Sequence, residues 1–167
     1  ILDESQPVPS TLVSEAARTL ITFSGVTILP DIPEYYRKYP ALLNFLSAQK
    51  MPWKESRTLA GEIGEYIVMM RETDDAYLVG AATNESGRMI DLPLSFLEKG
   101  KYTVEVIEDG DDAHYLTNRE SLKTTTRQLT NNDKLTLKLA PGGGACLVIK
   151  KTPSMRVREQ ATFPLVS

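Results

Sequence analysis

The sequence of 167 residues contains one cysteine, one tryptophan and one histidine. Cys146 has no partner within the chain, which excludes an intrachain disulfide framework. It lies in the apolar run of residues 145–149, where we expect a buried and unreactive thiol. The sequence shows no recognisable Cys/His pair around its single histidine, His114, no histidine-rich metal motif and no G-x-S-x-G nucleophile motif. Several common kinds of active site are therefore excluded.

The sequence also lacks an excess of positive charge and a long apolar run. Its 19 Lys and Arg residues stand against 22 Asp and Glu, a net charge of −3, and no Lys/Arg run occurs. We therefore expect no nucleic-acid partner. The longest apolar-rich stretch, residues 20–29, is too short to span a bilayer, and no signal-peptide pattern opens the chain. Because the chain begins with Ile1 and not Met, we expect a fragment or processed product of a longer protein.

Helical spacing dominates the first fifty residues. Ser10 or Thr11 can cap a first helix, and two prolines, Pro30 and Pro33, prevent its continuation. A second helix is predicted from residue 34 to about 47, interrupted or restarted by Pro40. The apolar stripe of the first helix consists of Leu12, Val13, Ala16, Ala17, Leu20, Ile21 and Phe23.

Two such helices bury too little against each other to form a domain. They must pack either on the region that follows or on a missing N-terminal part. We predict that the apolar stripe around residues 12–28 is exposed in this chain alone, so that a second copy or the missing part would cover it.

Strand patterns dominate after residue 60. The predicted strands are short, are separated by turn residues, and have no helices between them, which indicates an antiparallel sandwich or barrel-like sheet and excludes a parallel one. Leu135, Leu137 and Leu139 alternate with polar residues, as in a strand with one buried face. The predicted strands cover residues 65–71, 76–83, 89–92, 102–107, 124–129, 134–139 and 145–150.

The loop of residues 108–114 concentrates four acids and His114. Hard cations take carboxylate oxygens, but Gly110 does not occupy the position that an EF-hand loop requires. We interpret the loop as a polar connection, with a cation site as the weaker alternative. Gly142, Gly143 and Gly144 lack the Lys-Ser/Thr and the following helix of a phosphate-binding loop, so a tight structural turn is favoured.

Two other features bear on carbohydrate chemistry. Trp53 lies at the boundary between helical and strand patterns, where we expect it to fill the seam, although an exposed tryptophan would stack on a sugar ring. Glycoside hydrolysis needs a pair of carboxyl groups. For none of the 22 acids do the surrounding residues indicate a catalytic pair, so the sequence by itself does not describe an active site.

The order of several short motifs resembles the C-terminal part of glycoside hydrolase family 97. The resemblance covers about residues 12–150. It departs from the family at Trp53-Lys54-Glu55-Ser56-Arg57, where the family has W-D-E-[ST]-R, and at Ala145, where the family has an aromatic residue. The motifs are Tyr35-Tyr36-Arg37-Lys38-Tyr39-Pro40, residues 52–57, Gly61 and Gly64 before residues 65–67, and residues 79–83, 91–97, 101–103, 108–114 and 139–144.

This resemblance implies a fold and a parent enzyme. The fold is mainly β: an antiparallel β-sandwich-like C-terminal domain preceded by two helices from the end of a (β/α)8 barrel. Residues 1–50 would end the catalytic barrel, residues 51–151 would form the accessory domain, and residues 152–167 would be a tail. The parent would be a periplasmic or extracellular α-glucosidase or α-galactosidase.

The implied site lies outside this sequence. The family's catalytic carboxylates and the acids that bind its calcium ion lie upstream, so no catalytic, cofactor or metal residue is assigned here. Three hypotheses remain: a domain that stabilises the barrel, a carbohydrate-binding module using Trp53, Tyr77, Tyr102 or Tyr115, and an independent β-rich interaction protein. The first makes the catalytic barrel the partner of this chain.

Overall fold

The computed structural model describes residues 9–22 and 36–153. Its two helices are α1 (Leu12–Ile21) and α2 (Pro40–Ser47). The eight strands are β1 (Glu55–Glu62), β2 (Tyr66–Glu72), β3 (Tyr77–Thr83), β4 (Arg88–Pro93), β5 (Lys101–Asp109), β6 (Leu122–Thr130), β7 (Lys134–Leu139) and β8 (Gly144–Lys151).

The strands form two antiparallel sheets. The larger sheet has six strands in the order β1-β2-β3-β8-β5-β6, and the smaller pairs β4 with β7. Alternation along the strands turns branched side chains to the space between the sheets, which is the main core. It contains Val68, Met70, Val79, Tyr102, Val104, Leu147 and Ile149 from the large sheet and Ile90, Leu92, Leu135, Leu137 and Leu139 from the small one. The predicted antiparallel sandwich class is confirmed.

All seven predicted strands are present, and β1 is an eighth strand that the sequence patterns did not predict. This strand carries Gly61 and little apolar alternation, and most of its residues are exposed. It exists because it pairs with β2 from Glu55↔Glu72 to Glu62↔Tyr66, with a register shift between Thr58 and Ala60. Pairing with a neighbour, not its own burial, therefore defines the strand.

Helix α1 begins where its predicted capping residue indicates. The Thr11 hydroxyl accepts a hydrogen bond from the Ser14 N–H at 3.2 Å, the usual N-cap arrangement. Pro40 is the first residue of α2, so it restarts the helix, as the sequence indicates. The predicted helical positions 23–29 and 34–35, and most of the predicted tail, lie outside the described residues.

The prediction of an exposed apolar stripe is wrong for residues 12–21. Val13, Ala17 and Leu20 are fully buried, and α1 packs on β3 and β8. The reason lies in the large sheet, whose outer face is apolar at Leu78, Cys146 and other positions and must itself be covered. The helices therefore form a third layer on the sandwich.

Candidate functional surface

The outer face of the large sheet is the surface on which this chain joins its two parts. The helices contribute Val13, Ala17, Leu20, Leu42 and Phe45 to a second buried cluster, and the sheet contributes Leu78, Ile107, Cys146 and Val148. Small residues let α1 approach closely. A Cβ added to Gly80 would lie 2.9 Å from the carbonyl oxygen of Ala17, so glycine is needed for this contact.

Arg71 links the C-terminal end of α1 to the sheet. From β2, its guanidinium donates to the carbonyl oxygens of Leu20 at 3.2 Å and Ile21 at 3.1 Å. These carbonyls have no partner within the helix, and a cation beside them also interacts favourably with the helix dipole. Burial lowers the pKa of the Arg71 guanidinium from its ordinary value.

Trp53 lies where the sequence analysis expects it. It is half-buried and packs against the second cluster, with the Arg71 guanidinium 4.4 Å from its ring centroid. This cation–π contact places Trp53 against the residue that holds α1. Trp53 therefore fills the seam between helices and sheet and offers no free ring for a sugar.

Asp109 holds the other end of the outer face, at the end of β5. It is fully buried, and its Oδ2 accepts hydrogen bonds from the N–H groups of Ala140 at 3.0 Å and Gly144 at 2.7 Å. Burial raises the pKa of Asp109, while these backbone donors partly oppose the rise. Asp109 thus fixes the loop between β7 and β8.

The three glycines of that loop serve packing. Gly142 has a φ of +64° and lies against Tyr115, and its carbonyl accepts from the Thr11 N–H at 2.9 Å. A Cβ on Gly143 would overlap Asp109, and one on Gly144 would lie 2.7 Å from the Cα of Ser14. The loop therefore seats the first turn of α1, in agreement with the structural turn favoured from sequence.

The acidic loop is held by protein donors. Asp111 pairs with Lys138 at 2.9 Å, Asp112 accepts from Asn118 at 2.8 Å and from Ser121, and Glu108 accepts from the Lys138 N–H at 3.1 Å. The hydrogen bond from Lys138 lowers the pKa of Asp111, and that from Ser121 lowers the pKa of Asp112. Within residues 9–22 and 36–153, no three His, Cys, Asp or Glu side chains are grouped to hold a metal ion.

His114 has a local role. Its Nδ1 accepts a hydrogen bond from the Leu116 N–H at 3.1 Å, and its ring stacks on Tyr115 with centroids 4.8 Å apart. Neither contact brings a carboxylate or a nucleophile to the imidazole. The residue therefore stabilises the loop that follows β5.

The aromatic residues weighed as a sugar platform do not share an exposed face. Tyr102 is fully buried and Tyr77 packs edge-on against it with centroids 6.3 Å apart. Both therefore belong to the main core, while Tyr115 stacks on His114 and Trp53 lies under Arg71. These four rings point to three separate places and offer no planar row for a sugar chain.

A shallow groove of about 630 Å³ lies between the end of α1 and the β1–β2 hairpin. Its charged lining residues are Arg18, Glu62 and Glu65, and Glu65 pairs with Arg88 at 3.0 Å. Arg88 also donates to the Thr83 hydroxyl at 2.7 Å. Of the two carboxylates that line the groove, Glu65 is already paired with Arg88, so the groove does not offer two unpaired carboxylates for catalysis.

Residues 52–150 match the family model described as "Glycosyl-hydrolase 97 C-terminal, oligomerisation". A retaining alpha-galactosidase of Bacteroides thetaiotaomicron is 33% identical over 147 residues, which are 87% of this chain and 22% of that protein. A probable retaining alpha-galactosidase of Streptomyces bingchenggensis is 25% identical, over 83% of this chain and 20% of that protein.

Solved structures give the same result. A glycoside hydrolase family 97 enzyme from Pseudoalteromonas sp. strain K8, in complex with acarbose, has a TM-score of 0.82 and 30% identity, covering 87% of this chain and 23% of that one. A beta-arabinopyranosidase shares the fold, with a TM-score of 0.67 and 24% identity over 84% of this chain and 21% of the other. The chain thus spans about a fifth of the length of the proteins it matches. In the part of the chain that the structure describes, no helix is long and apolar enough to cross a membrane.

Proposed function

Since this chain belongs to glycoside hydrolase family 97, we propose that it forms the non-catalytic C-terminal region of a larger α-glycoside hydrolase and stabilises its catalytic barrel. The observation that carries this proposal is the family match over residues 52–150 together with the docking of α1 and α2 on the same sheet. A helical layer fixed to the sheet is a rigid connection through which an accessory domain can hold a barrel.

The proposal divides the chain at the helices. Residues 1–50 would be the end of the barrel, residues 51–151 the accessory domain, and residues 152–167 a tail. The burial of Phe45 and Leu42 on the outer face supports a firm junction near residue 50. The catalytic barrel is then the partner of this chain in the parent protein, and the parent would be periplasmic or extracellular.

We assign the chemistry to the parent. A retaining α-glycosidase needs a nucleophilic carboxylate and a second carboxyl group that first protonates the leaving oxygen and then activates water. The relatives named as retaining alpha-galactosidases favour this substrate class and outcome over an inverting α-glucosidase. In this chain's described residues, Glu108, Asp111 and Asp112 already have protein donors and are poorly suited to either role.

The calcium ion proposed for the parent does not fit this chain. The acidic loop is the best candidate by composition, but its carboxylates accept from Lys138, Asn118 and Ser121, and Oδ2 of the fully buried Asp109 accepts from two backbone N–H groups. A calcium site would require several of these oxygens to be free. We therefore propose that any calcium ion of the parent is bound outside this chain.

A carbohydrate-binding module is not favoured. It needs exposed rings on one face, whereas Tyr102 is buried and Trp53 packs beneath Arg71. The burial of the α1 stripe is the feature expected of an independent β-rich protein, but the family match decides against that hypothesis.

The test is hydrolysis of nitrophenyl α-galactoside and nitrophenyl α-glucoside, with calcium present, by this chain and by the full-length parent. We expect turnover by the parent alone, with the galactoside preferred. A parent carrying Gly80→Ala should keep its initial rate and lose activity faster on heating, because the junction beside α1 is weakened. Turnover by the isolated chain would overturn the non-catalytic assignment.

A further inference from the structure

We propose that β6 is the edge through which two copies of this chain pair, antiparallel and related by a two-fold axis at Thr126. The two six-stranded sheets would then continue into one another. The inference depends on the oligomerisation that the matched family model describes, and it names the surface and the partner: a second copy of this chain.

The large sheet ends in two edges of different character. At one end, β1 contains a register shift between Thr58 and Ala60, and it carries Glu55, Arg57 and Glu62. Bulges and charges are the features by which proteins block edge-to-edge pairing. At the other end, β6 pairs with β5 over nine consecutive residues, from Leu122↔Asp109 to Thr130↔Lys101, without a shift.

The small sheet offers poorer edges than β6. Its strands β4 and β7 have six residues each; β4 ends in Pro93, and β7 carries Lys134 and Lys138. Proline removes a backbone donor, and a six-residue edge offers fewer pairing positions than the nine residues of β6, which itself carries Lys123 and Arg127. Among the edges within the described residues, β6 is therefore the longest regular one.

The residues of β6 suit a strand that has exposed side chains and whose backbone edge pairs with a further strand. Residues 124–128 are exposed without alternation, unlike those of β5, and β6 is the last strand of the large sheet in the described part of the chain. Its sequence Thr124-Thr125-Thr126 is β-branched and contains no proline, glycine or acid. Such residues favour an extended strand that can accept a further one.

Charge selects the register of self-pairing. Centred on Thr126, the pairing sets Thr124 opposite Gln128 of the second copy and Thr125 opposite Arg127, so no like charges face each other. Centred on Thr125, it would set Lys123 opposite Arg127, and centred on Arg127, it would set two arginines face to face. Directly opposed like charges destabilise a strand pair. Centres further along the strand would pair only about half of its residues.

The first test is disulfide crosslinking of the whole chain. Residues directly opposite in an antiparallel pair have Cα atoms about 5 Å apart, within the range a disulfide requires. Thr126→Cys should therefore give a covalent dimer on mild oxidation. The native Cys146 is buried and does not compete. Thr124→Cys is the matched control, since its two copies would lie roughly 14 Å apart, whereas Thr124→Cys combined with Gln128→Cys should crosslink.

The second test is the oligomeric state in solution, by light scattering after size exclusion. We expect a dimer for the wild-type chain and at least a tenfold weaker one for Thr126→Asp, which opposes two carboxylates at the axis. Met89→Asp, at an exposed position on β4, should leave the dimer unchanged. Because Thr126 is exposed, its substitution should not unfold the domain, which circular dichroism checks.

The outcomes separate this inference from the proposed function. A dimer that survives Thr126→Asp and does not crosslink through Thr126→Cys would overturn the β6 surface and leave oligomerisation intact. A wild-type chain that stays monomeric at every concentration would overturn pairing through β6 altogether. Neither result bears on the non-catalytic role, which the hydrolysis assay decides.

Discussion

The two faces of the large sheet are covered in different ways. The inner face meets β4 and β7 through large aliphatic side chains such as Val104, Leu147 and Leu137. The outer face also buries apolar side chains of α1, such as Val13 and Leu20, but glycine and small residues there let backbones approach closely, and Arg71 and Asp109 bond to backbone groups beside the helix. The inner face depends mainly on buried volume, whereas the outer face adds a few close contacts that involve the backbone.

The inner face should show the largest response to loss of volume. Leu147→Ala removes a fully buried side chain from β8 and should lower the free energy of unfolding by about 3 kcal/mol. Denaturant melts would measure the change. Met89→Ala, at a position 64% exposed, is the control and should change stability little. Equal effects of the two substitutions would contradict the assignment of the core.

The outer face should respond to added volume instead. Gly80→Ala places a Cβ 2.9 Å from the carbonyl oxygen of Ala17 and should cost about 2 kcal/mol, because α1 must move away from β3. Stability from urea melts, with near-ultraviolet dichroism of Trp53 as a local signal, would detect it. A fully tolerated alanine would mean that α1 lies farther from the sheet.

The link at the end of α1 should have a smaller effect. Arg71→Lys keeps the charge but loses the two-pronged hydrogen bonding to Leu20 and Ile21, and should cost about 1 kcal/mol. Arg57→Lys, on the exposed β1, is the matched control. If both substitutions were neutral, the guanidinium geometry would be irrelevant to the docking of α1.

The buried carboxyl of Asp109 should give the smallest effect, as a dependence on pH. Its folded pKa is raised, so its contribution to stability is complete below the ordinary aspartate pKa and declines as pH rises through the folded value. The stability of the wild type relative to Asp109→Asn should therefore fall as pH rises above about 4. Calorimetry across this range would measure the difference.

Asp111→Asn supplies a control of opposite sign. Lys138 lowers the pKa of Asp111, so its contribution is present above the ordinary aspartate pKa and is lost as pH falls through the lower folded value. The wild type relative to this variant should change only below about pH 4. If the stability difference changed with pH in the same direction for both variants, the buried carboxyl of Asp109 would not be the cause of the pH dependence.

The inner face could be predicted from sequence, and the outer face could not. Alternation at Leu135, Leu137 and Leu139 states directly which side of the strand is buried. The outer face depends on pairs far apart in sequence, such as Arg71 with Leu20 and Asp109 with Gly144, which no local period reveals. Strand β1 was not predicted for the same reason, because it is defined by its pairing with β2 and has no apolar pattern of its own.

The buried α1 stripe illustrates the same limit. The period of the stripe correctly indicated an apolar face at Val13, Ala17 and Leu20, but a period cannot identify the surface that covers it. The triple glycine was correctly interpreted as a turn, while its contact with Ser14 and Asp109 appears only in three dimensions. The family resemblance supplied the placement within a larger enzyme, which composition and spacing left open.

The contacts of α1 indicate a layer that is attached to the outer face by its own interactions and is separable from the inner core. Hydrogen exchange of the wild type and Gly80→Ala would test it most directly. We predict that the amides of α1 exchange about 30-fold faster in the variant, the factor that corresponds to about 2 kcal/mol, while those of β5 and β8 are little changed. An equal increase in all of these elements, or no increase in α1, would contradict the claim.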